Sequence, residues 1–598
     1  MSFKNRALLA SVKSFDESVK HRSWEIYLGL LRTFMLDLPP SVQEEVSRFI
    51  EGRDYLSLIE WADSYGSVEH ATAEETYSAS QLAALITKYP FPDKKLKPKA
   101  KARALEKFDI AENRCRRYNV KLRRLIKRPA DPLFVQLNRM KGWIGKVLGD
   151  EPDLPSIYAE CGFGPGASIG VSGQSTNLSR KLLAEKWTCT PSALPYALAA
   201  MKTDFHIWEF LSPGPAKNKP CGNLYVNMDP EVFMQKLTDR IEQVHYNKIV
   251  TVPKTTKVDR TIAVEPLLNG YLQKGIDEVI RHRLRRVGLD LRDQTRNQDW
   301  ARLGSIPNQG DPFVTIDLSS ASDSVSLALV RWLLPPSWFH LMDTIRSPAY
   351  RLAGGRESRY EKIASMGNGF CFPLETLIFA SVCAMYCEPG DFTVYGDDII
   401  VRQSVSKEVL KLLWRIGFRH NTDKTFLKGS FRESCGADWY MGQDVRPLVL
   451  DDSLDSLGKI VMFYNMSLRK DLWSSRFQKV REYLFGLVPD RIRFCRPFSG
   501  SVAGAFEVEL DMFMGSRYSE WNCDLSTWSW RELSEKGVPD LGYLRLGTET
   551  QIGSLLAMAA VRGSPSVAPF MHRRKTTLSV RRMSYAGTQS NWLPAGCA

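Results

Sequence analysis

The sequence predicts an α+β fold with mainly helical segments at both ends. Between Val250 and Val401, short runs of β-branched residues alternate with helical stretches, a pattern typical of α+β packing. Residues 1–90 carry apolar side chains three and four positions apart, which predicts helices. The pattern after about residue 455 also predicts mainly helices, and residues 579–598 are expected to form a loose tail.

Length and charge narrow the class of protein. The chain has 598 residues and a formal net charge of +14 at pH 7. A chain of this length exceeds what one compact core holds, so we expect several subdomains. The positive surplus favours a polyanionic partner, of which nucleic acid is the commonest. Composition alone does not choose between RNA, DNA and an anionic membrane surface.

The sequence gives little support to a membrane or secreted protein. The longest apolar run, Leu377–Cys387, contains Ser381 and is far shorter than the ~20 residues of a spanning helix. The first 15 residues contain only the short apolar stretch Ala7–Ala10, whereas a secretory signal has an apolar core of roughly 7–15 residues. The 11 cysteines are scattered and form no Cys-x-x-Cys pair, which argues against structural zinc. We therefore expect no membrane contact and a cytosolic location with reduced thiols.

The basic residues are concentrated between Lys94 and Arg128. This stretch holds 15 Lys or Arg against three acidic residues, a net charge of +12. One interpretation is a solvated amphipathic helix. The other is a surface that contacts a phosphate backbone.

A Gly-Asp-Asp sequence predicts a tight hairpin with carboxylates at its tip. Strand-forming residues flank Gly396, Asp397 and Asp398 within residues 392–401, and a glycine in so short a connection marks a turn. Two adjacent ionised carboxylates repel each other, and a divalent cation removes that cost. The alternative is an ordinary Gly-Asp turn exposed to water.

A third carboxylate is predicted at the end of a separate strand. Phe313–Ile316 has a strand pattern and ends at Asp317, and the serines after it are helix-start signals for a helix over Val325–Leu334. Asp317 could therefore meet Asp397. Three such carboxylates can hold two Mg²⁺ ions, which suits in-line phosphoryl transfer. For Asp323, the alternative to a role in the site is that it caps the helix.

Basic residues near these carboxylates are candidates for binding phosphates. Lys254, Lys257 and Arg260 recur every third residue within 251–265 and could line a channel for a triphosphate. The alternative is a solvated charged loop. Lys424 could protonate a leaving pyrophosphate.

Residues 365–375 predict a glycine-containing loop followed by an apolar helix. Gly367 and Gly369 would let the backbone approach a nucleotide or a template strand closely. Ser365, Gly367 and Asn368 are therefore candidate nucleotide-binding residues.

In this order, the elements resemble the motifs of the right-hand polymerases of RNA viruses. Residues 251–265 resemble motif F, 313–323 motif A, 365–375 motif B, 395–398 motif C and the stretch around Lys424 motif D. Six strings closely resemble the replicases of Qβ-type RNA bacteriophages, the leviviruses: TVPK-x2-K-x-DR-x-IA-x-EP at 251–266, DLRDQTRNQ at 290–298, DLSSASDSVSLAL at 317–329, SMGNGF at 365–370, VYGDDII at 394–400 and FRESCG at 431–436. The similarity runs from about residue 160 to 450.

The resemblance implies a right-hand polymerase fold of fingers, palm and thumb. Residues 1–310 would form an N-terminal region and the fingers, including motif F. Residues 311–455 would form a palm with an antiparallel sheet and motifs A to E, with room for a fingers insertion around 335–364. Residues 456–598 would form a mainly helical thumb and the C-terminal tail.

The same resemblance implies the chemistry and the partners. Asp317, Asp397 and Asp398 would bind two Mg²⁺ ions in an RNA-directed RNA polymerase. The enzyme would copy single-stranded, positive-sense phage RNA from NTPs without a primer, in the cytoplasm of the bacterial host. Host translation elongation factors Tu and Ts, and in some relatives the largest ribosomal protein of the small subunit, would be its partners.

Motif B departs from the broad viral pattern at two positions. Four and eight residues after Gly367 this chain has Cys371 and Glu375, where many viral polymerases have Thr and Asn. The departure leaves open how the 2′-hydroxyl is sensed. We assign that task to Asp323, together with Asn368.

Two other functions are compatible with parts of the pattern. A reverse transcriptase also uses a strand–Asp-Asp–strand hairpin, but it usually carries a bulky residue in motif A. Here residues 320–322 are small and Asp323 is polar, which favours ribonucleotides. A non-catalytic RNA-binding or packaging protein would explain the basic stretch, but not the carboxylates at two strand ends.

Overall fold

Helices and short sheets alternate along the chain, which confirms the predicted α+β class. The computed structural model describes residues 3–585 except 68–70, 94–95, 173–175, 177, 212–228, 471–474, 476, 499–501, 518, 523–526 and 538–575. Within the part of the chain that is described, none of the helices is both long and apolar enough to cross a membrane.

The N-terminal segment is helical, as its apolar spacing predicts. Its helices are α1 Phe3–His21, α2 Ser23–Met35, α3 Pro40–Glu51, α4 Tyr55–Gly66 and α5 Ala73–Thr87. A capping box begins α5: the Thr72 hydroxyl accepts from the Glu75 backbone N–H, and the Glu75 carboxylate accepts from the Thr72 N–H.

The basic stretch forms one long helix, α6 Leu96–Leu125. Ala100, Ala104 and Phe108 lie four residues apart and are buried, while most of the lysines and arginines are exposed. The helix is therefore amphipathic, as one interpretation holds, and its basic face stays available for the other. Lys94 and Lys95 lie outside the described residues.

Residues 132–305 combine helices with short strands. These are α7 Pro132–Leu148, α8 Leu154–Ala159, α9 Leu178–Leu182, β1 Trp187–Cys189, α10 Leu194–Thr203, α11 Phe205–Leu211, α12 Pro230–Asp239, β2 Ile241–Gln243, β3 Tyr246–Pro253, β4 Asp259–Val264, α13 Leu267–Arg286 and α14 Thr295–Ser305. β3 and β4 pair antiparallel, and their turn carries Lys254 and Lys257. β1 and β2 pair parallel.

The central segment contains the predicted strand and hairpin. Its elements are β5 Phe313–Ile316, α15 Leu327–Leu333, α16 Pro336–Ile345, β6 Ala349–Arg351, β7 Glu357–Arg359, α17 Cys371–Cys383, β8 Phe392–Tyr395, β9 Asp398–Arg402 and α18 Gln403–Ile416. An antiparallel sheet has the order β5-β9-β8, and a second sheet has the order β4-β3-β6-β7.

The helix after Asp317 begins later than the serine signals predict. Ser320 has a φ of 53°, in the left-handed region that a continuous right-handed helix excludes. Ser322–Ser324 form a single 3₁₀ turn, and α15 starts only after Ser326. Asp323 therefore lies in the 3₁₀ turn and does not cap the helix.

The C-terminal segment is less helical than predicted. Its elements are β10 Phe431–Ser434, β11 Ala437–Tyr440, β12 Gln443–Asp444, α19 Leu457–Leu468, α20 Gln478–Leu487, β13 Cys495–Arg496, β14 Phe506–Glu507, α21 Leu510–Met514, β15 Glu520–Asn522, β16 Thr527–Gly537 and β17 Thr576–Tyr585. The prediction of mainly helices is correct for α19 and α20 and wrong for β15–β17, which form a sheet. Residues 579–585 of the expected tail belong to β17, and 586–598 lie outside the described residues.

Most buried apolar side chains belong to one of two cores. The first runs from Leu122 to Phe418 and surrounds the β5-β9-β8 sheet. The second joins residues 8–96 to residues 440–580. The N-terminal helices therefore pack against the C-terminal part of the chain.

A buried glutamine connects the two halves of the second core. Gln81 is fully buried on α5. Its amide donates to the Leu448 carbonyl at 2.7 Å and accepts from the Leu448 N–H at 2.7 Å. The N–H and the carbonyl of Leu448 thus both form their hydrogen bonds with the Gln81 side chain.

Replacing Gln81 should destabilise the protein. Gln81→Met keeps the length of the side chain but leaves two buried backbone groups of Leu448 unpaired. We expect the free energy of unfolding to fall by about 2–4 kcal/mol, measured by urea denaturation. Gln478→Met, at an exposed position, is the control and should change it by less than about 0.5 kcal/mol. Equal stability of the two variants would show that the Leu448 contacts contribute nothing.

Candidate active site

Three carboxylates lie together at one end of the β5-β9-β8 sheet. Ile316, the last residue of β5, pairs with Ile399 of β9, and Tyr395 pairs with Asp398 across the hairpin. Asp317 therefore leaves β5 beside Asp398 and the turn residue Asp397. The sheet brings together the three positions that the sequence singles out.

The tight turn depends on Gly396. Its φ is 62°, as the first central residue of a II′ hairpin turn requires. A Cβ atom there would lie 2.3 Å from the Phe372 ring. The Gly396 N–H donates to the Thr376 hydroxyl at 2.9 Å. Helix α17 therefore sets the position of the hairpin tip.

Neighbouring segments hold two of the carboxylates in place. The Asn421 amide donates to Oδ2 of Asp317 at 2.9 Å, and the Asn421 N–H donates to the Asp317 carbonyl at 2.8 Å. The Cys435 N–H donates to Oδ2 of Asp398 at 3.2 Å. The segments that follow α18 thus orient the ends of β5 and β9.

The carboxylates are costly to ionise in this position. Burial, followed by the charges of Asp397 and Asp317, raises the pKa of Asp398 to about 7. Burial also raises the pKa of Asp317, and Asp397 raises it further. The pKa of Asp397 is raised by burial, against the opposing effect of nearby cations. A positive ligand would relieve this repulsion.

Lysine and arginine side chains provide part of the compensating charge. Lys254, Arg260 and Lys424 each lower the pKa of Asp397. Partial burial, and then the like charges of Arg260 and Lys424, lower the pKa of Lys254. The cations are therefore close to one another as well as to the carboxylates, and such a cluster suits a polyphosphate.

Two of the basic candidates, Lys424 and Lys257, each form an ion pair with a glutamate. Lys424 lies 2.7 Å from Oε1 of Glu433. Burial alone would lower the pKa of Lys424, but Glu433 outweighs it and the pKa is raised. Lys257 lies 3.5 Å from Oε1 of Glu60 on α4. Its ion pair thus directs Lys257 towards the N-terminal helices.

The donor set fits a hard divalent cation in its chemistry. All three carboxylates offer oxygen, the ligand that Mg²⁺ prefers, and their raised pKa values reflect a repulsion that a cation would relieve. Among the described residues, no three Asp, Glu, His or Cys side chains are grouped closely enough to hold an ion by themselves. Asp317, Asp397 and Asp398 are therefore candidate metal ligands, but their side chains alone do not form a complete binding site.

The glycine loop before α17 is attached to strand β4. Gly367 has a φ of 108°, and a Cβ there would lie 2.3 Å from the Ala263 carbonyl. The Ala263 N–H donates to the Met366 carbonyl at 2.7 Å. The loop is thus bonded directly to the strand that follows the Lys254 turn.

Some buried polar groups of this loop and helix have no hydrogen-bond partner within the described part of the chain. They include Nδ2 of Asn368 and Oε2 of Glu375, although Oδ1 of Asn368 accepts from the Phe370 N–H at 3.1 Å. Burial, and then Asp397 and Asp323, raise the pKa of Glu375 well above its ordinary range. Ser365 is also buried. Unpaired buried polar groups beside a carboxylate cluster are suited to bind a polar ligand.

Sequence patterns did not reveal several residues that shape the site. Asn421 and Glu433 contact Asp317 and Lys424, and Lys362 pairs with Asp323. The contacts join residues 9 to 104 positions apart. No local pattern marks such pairs, although the string FRESCG contains both Glu433 and Cys435.

Comparison with known proteins shows extensive similarity to phage polymerases. The family model described as RNA replicase, beta-chain, matches residues 42–481. The RNA-directed RNA polymerase subunit beta of Qbeta virus strain MX1 is 37% identical over 405 residues, 65% of this chain and 63% of that protein. The protein of the same name from Escherichia virus Qbeta is 36% identical over 427 residues, 69% of this chain and 66% of that protein. The match thus spans just under two thirds of each relative.

A weak overlap exists with one solved polymerase structure. It is an insertion loop deletion mutant of the RNA-dependent RNA polymerase of a human picorbirnavirus. That chain is 13% identical with a TM-score of 0.30, and the overlap covers 64% of this chain and 85% of that chain. An overlap at this score supports no conclusion about the fold.

The raised pKa of Asp398 predicts a pH-dependent stability without divalent metal. The ordinary pKa is 3.8 and the folded value is about 7, so the folded state binds more protons between these values. Its stability therefore falls as the pH rises from about 4 to about 7 and levels off above that. In the Asp398→Asn variant, the amide at this position does not titrate. In EDTA, the stability of this variant relative to the unchanged protein should rise by about 1–2 kcal/mol from pH 5 to pH 8, less than the full difference because the carboxylate is partly exposed.

Urea denaturation at the two pH values measures this difference. Added Mg²⁺ is the control: at pH 8 it should stabilise the unchanged protein more than Asp398→Asn. A stability difference that does not vary with pH would contradict the electrostatic account of the site.

Proposed function

Because the chain belongs to the RNA replicase beta-chain family, as the sequence resemblance indicates, we propose that it is the catalytic subunit of an RNA-directed RNA polymerase. It copies a single-stranded, positive-sense RNA phage genome from NTPs without a primer. The observation that carries the proposal is the group of Asp317, Asp397 and Asp398 facing Lys254, Arg260 and Lys424. Relatives with 36–37% identity are named as RNA-directed RNA polymerase subunits.

The reaction is nucleotidyl transfer. The 3′-hydroxyl of the growing RNA attacks the α-phosphate of an NTP, and pyrophosphate leaves. Asp317, Asp397 and Asp398 would hold two Mg²⁺ ions, which activate the attacking hydroxyl and stabilise the leaving oxygen. The repulsion among these carboxylates supports that assignment, because two divalent ions offset it.

The basic residues bind the triphosphate and the leaving group. Lys254 and Arg260 neutralise the charge of the triphosphate beside the carboxylates. The ion pair with Glu433 keeps Lys424 protonated, so it can donate a proton to pyrophosphate. Lys257 is also proposed to bind the nucleotide, which requires its ion pair with Glu60 to open.

Asp323, Ser365, Gly367 and Asn368 bind the sugar and base of the nucleotide. Asp323 accepts a hydrogen bond from the 2′-hydroxyl, and the unpaired Nδ2 of Asn368 donates a hydrogen bond to the sugar. Gly367 keeps the loop in its left-handed conformation. This assignment makes the protein selective for ribonucleotides.

We also propose the subdomain assignment. Fingers and the N-terminal region comprise 1–310, the palm 311–455, and the thumb and tail 456–598. Strand β6 pairs with β3, which supports a fingers insertion at 335–364. Residues 8–96 share a core with 440–580, so the N-terminal helices support the thumb as well as the fingers.

The partners are proposed from the resemblance. The names of the relatives describe them as subunit beta, which supports a complex of several chains. Elongation factors Tu and Ts of the host, and the largest ribosomal protein of the small subunit, are the proposed partners. The complex would act in the cytoplasm of the infected bacterium on a single-stranded RNA template.

Asp397→Asn tests the proposed reaction. Loss of one carboxylate should lower RNA synthesis at least about 10³-fold, because charge stabilisation of the transition state is lost, while binding of single-stranded RNA stays within about twofold. The assay measures Mg²⁺-dependent incorporation of labelled NTPs on unprimed RNA, with the full chain and its co-purifying host proteins.

Asp391→Asn is the matched control for this variant. Asp391 directly precedes β8, whereas Asp397 lies in the turn at the other end of that strand. Oδ1 of Asp391 lies 3.8 Å from Nε of Arg402. Synthesis should stay within about twofold of the unchanged protein. Synthesis that survives Asp397→Asn would exclude the carboxylate assignment, and lost RNA binding would favour a structural effect.

Sugar preference separates the proposal from a reverse transcriptase. The unchanged protein should use NTPs at least about 100-fold more efficiently than 2′-dNTPs, because a buried acceptor for the 2′-hydroxyl is left unpaired by a deoxy sugar. Single-nucleotide incorporation measures both efficiencies. A preference for dNTPs would exclude an RNA polymerase.

A further inference from the structure

A fully buried lysine lies behind Asp323. The side chain of Lys362 is 0% exposed, and its ammonium lies 2.8 Å from Oδ1 of Asp323 and 3.1 Å from Oε1 of Glu112. It also lies 3.8 Å from the centre of the Phe108 ring. Lysines are almost never fully buried unless they are paired, so this arrangement calls for a physical reason.

The two carboxylates keep the buried lysine charged. Burial would lower the pKa of Lys362, but Asp323 and Glu112 outweigh burial and the pKa is raised. Glu112 in turn has a pKa raised by burial and lowered by Lys362. The charges of Lys362 and Glu112 thus support each other.

Helix α6 holds both sides of this cluster. Oε2 of Glu112 accepts from the Glu361 N–H at 2.9 Å, and the Asn119 amide donates to the Glu361 carbonyl at 2.7 Å. The Cys115 thiol donates to the Asp323 carbonyl at 3.5 Å. The helix therefore fixes the segment of Lys362 and the 3₁₀ turn of Asp323 relative to each other.

The ion pair uses only one oxygen of Asp323. Lys362 contacts Oδ1, and no residue in the described part of the chain donates a hydrogen bond to Oδ2. The side chain of Asp323 is 14% exposed, whereas Glu112 is 9% exposed. Asp323 is thus the carboxylate of the pair that retains access to a ligand.

We propose that Lys362 is a positioning residue for sugar selection, which holds Asp323 oriented so that its second oxygen accepts from the 2′-hydroxyl of the NTP. This inference rests on the proposed function and on the role assigned there to Asp323. Lys362 itself touches neither the nucleotide nor the reacting atoms. Glu112 fixes Lys362 from the opposite side.

Loss of the ammonium changes what Asp323 can do. Without it, the carboxylates of Asp323 and Glu112 face each other with no cation between them, so a turn of Asp323 away from Glu112 becomes favourable. A displaced Asp323 is a poorer acceptor for the 2′-hydroxyl. Incorporation of NTPs therefore suffers, whereas incorporation of 2′-dNTPs, which lack that hydroxyl, suffers much less.

The test compares kcat/KM for an NTP and its 2′-dNTP in single-nucleotide incorporation by the full chain with its co-purifying proteins. Lys362→Met should lower the NTP/dNTP ratio about tenfold or more, mainly through a higher KM for the NTP. Lys362→Met combined with Glu112→Gln keeps the total charge of the cluster and guards against misfolding of the single variant. It should lower the ratio by at least about threefold.

A matched control and a double variant exclude a merely structural role. Lys181 is also buried, with its ammonium donating to the Gly164 and Gly166 carbonyls, and Lys181→Met should leave the ratio unchanged whatever its effect on rate. Asp323→Asn should lower the ratio, and adding Lys362→Met to it should lower the ratio no further.

Each outcome has a distinct meaning. Equal losses with NTP and dNTP in both Lys362 variants would overturn the inference and leave the polymerase assignment intact. A further drop of the ratio on the Asp323→Asn background would also overturn it, since Lys362 would then act independently. No NTP incorporation, or a dNTP preference, in the unchanged protein would instead defeat the proposed function itself.

Discussion

The mutual repulsion of Asp317, Asp397 and Asp398 is the constraint to which the surrounding structure responds. The three carboxylates are partly buried, and each has a raised pKa. Carboxylates in such a position are stable only with donors, cations or protons nearby. The Asn421 amide and the Cys435 N–H supply donors, and the lysine and arginine side chains supply charge. The negative charge that these groups leave unbalanced is what a divalent cation would neutralise.

A second charged cluster consists of Glu112, Lys362 and Asp323. It differs from the first because a buried lysine lies between its carboxylates. Its single cation is fully buried between two carboxylates, so both of them share a cation that belongs to the chain itself. The basic helix α6 thus has two different faces. One face buries Glu112 and Cys115 against the motif A turn, and the other presents the exposed positive charge that suits RNA.

The sequence predicted the elements whose signals are local. Strand β5, the hairpin of β8 and β9, the glycine loop before α17 and the N-terminal helices follow from periodicity and turn residues within short windows. Partners such as Glu433 for Lys424 or Lys362 for Asp323 depend on how distant segments pack, and no window contains that information. Strands β16 and β17 were missed for a similar reason, because they form a sheet by pairing across 38 residues that separate them. The position of Lys257 also could not be read from its spacing, since Glu60 lies on α4.

The ion pair of Lys257 belongs to a contact that couples the two cores. The turn between β3 and β4 meets the end of α5, where the Thr256 hydroxyl donates to the Tyr89 carbonyl at 2.9 Å. Tyr89 belongs to the core that the N-terminal helices share with residues 440–580. The strand after the turn is bonded to the glycine loop through Ala263 and Met366. Hydrogen bonds thus connect the N-terminal helices, through the turn that carries Lys254, to the glycine loop. The second core, which contributes none of the three carboxylates, therefore contacts the turn that carries Lys254.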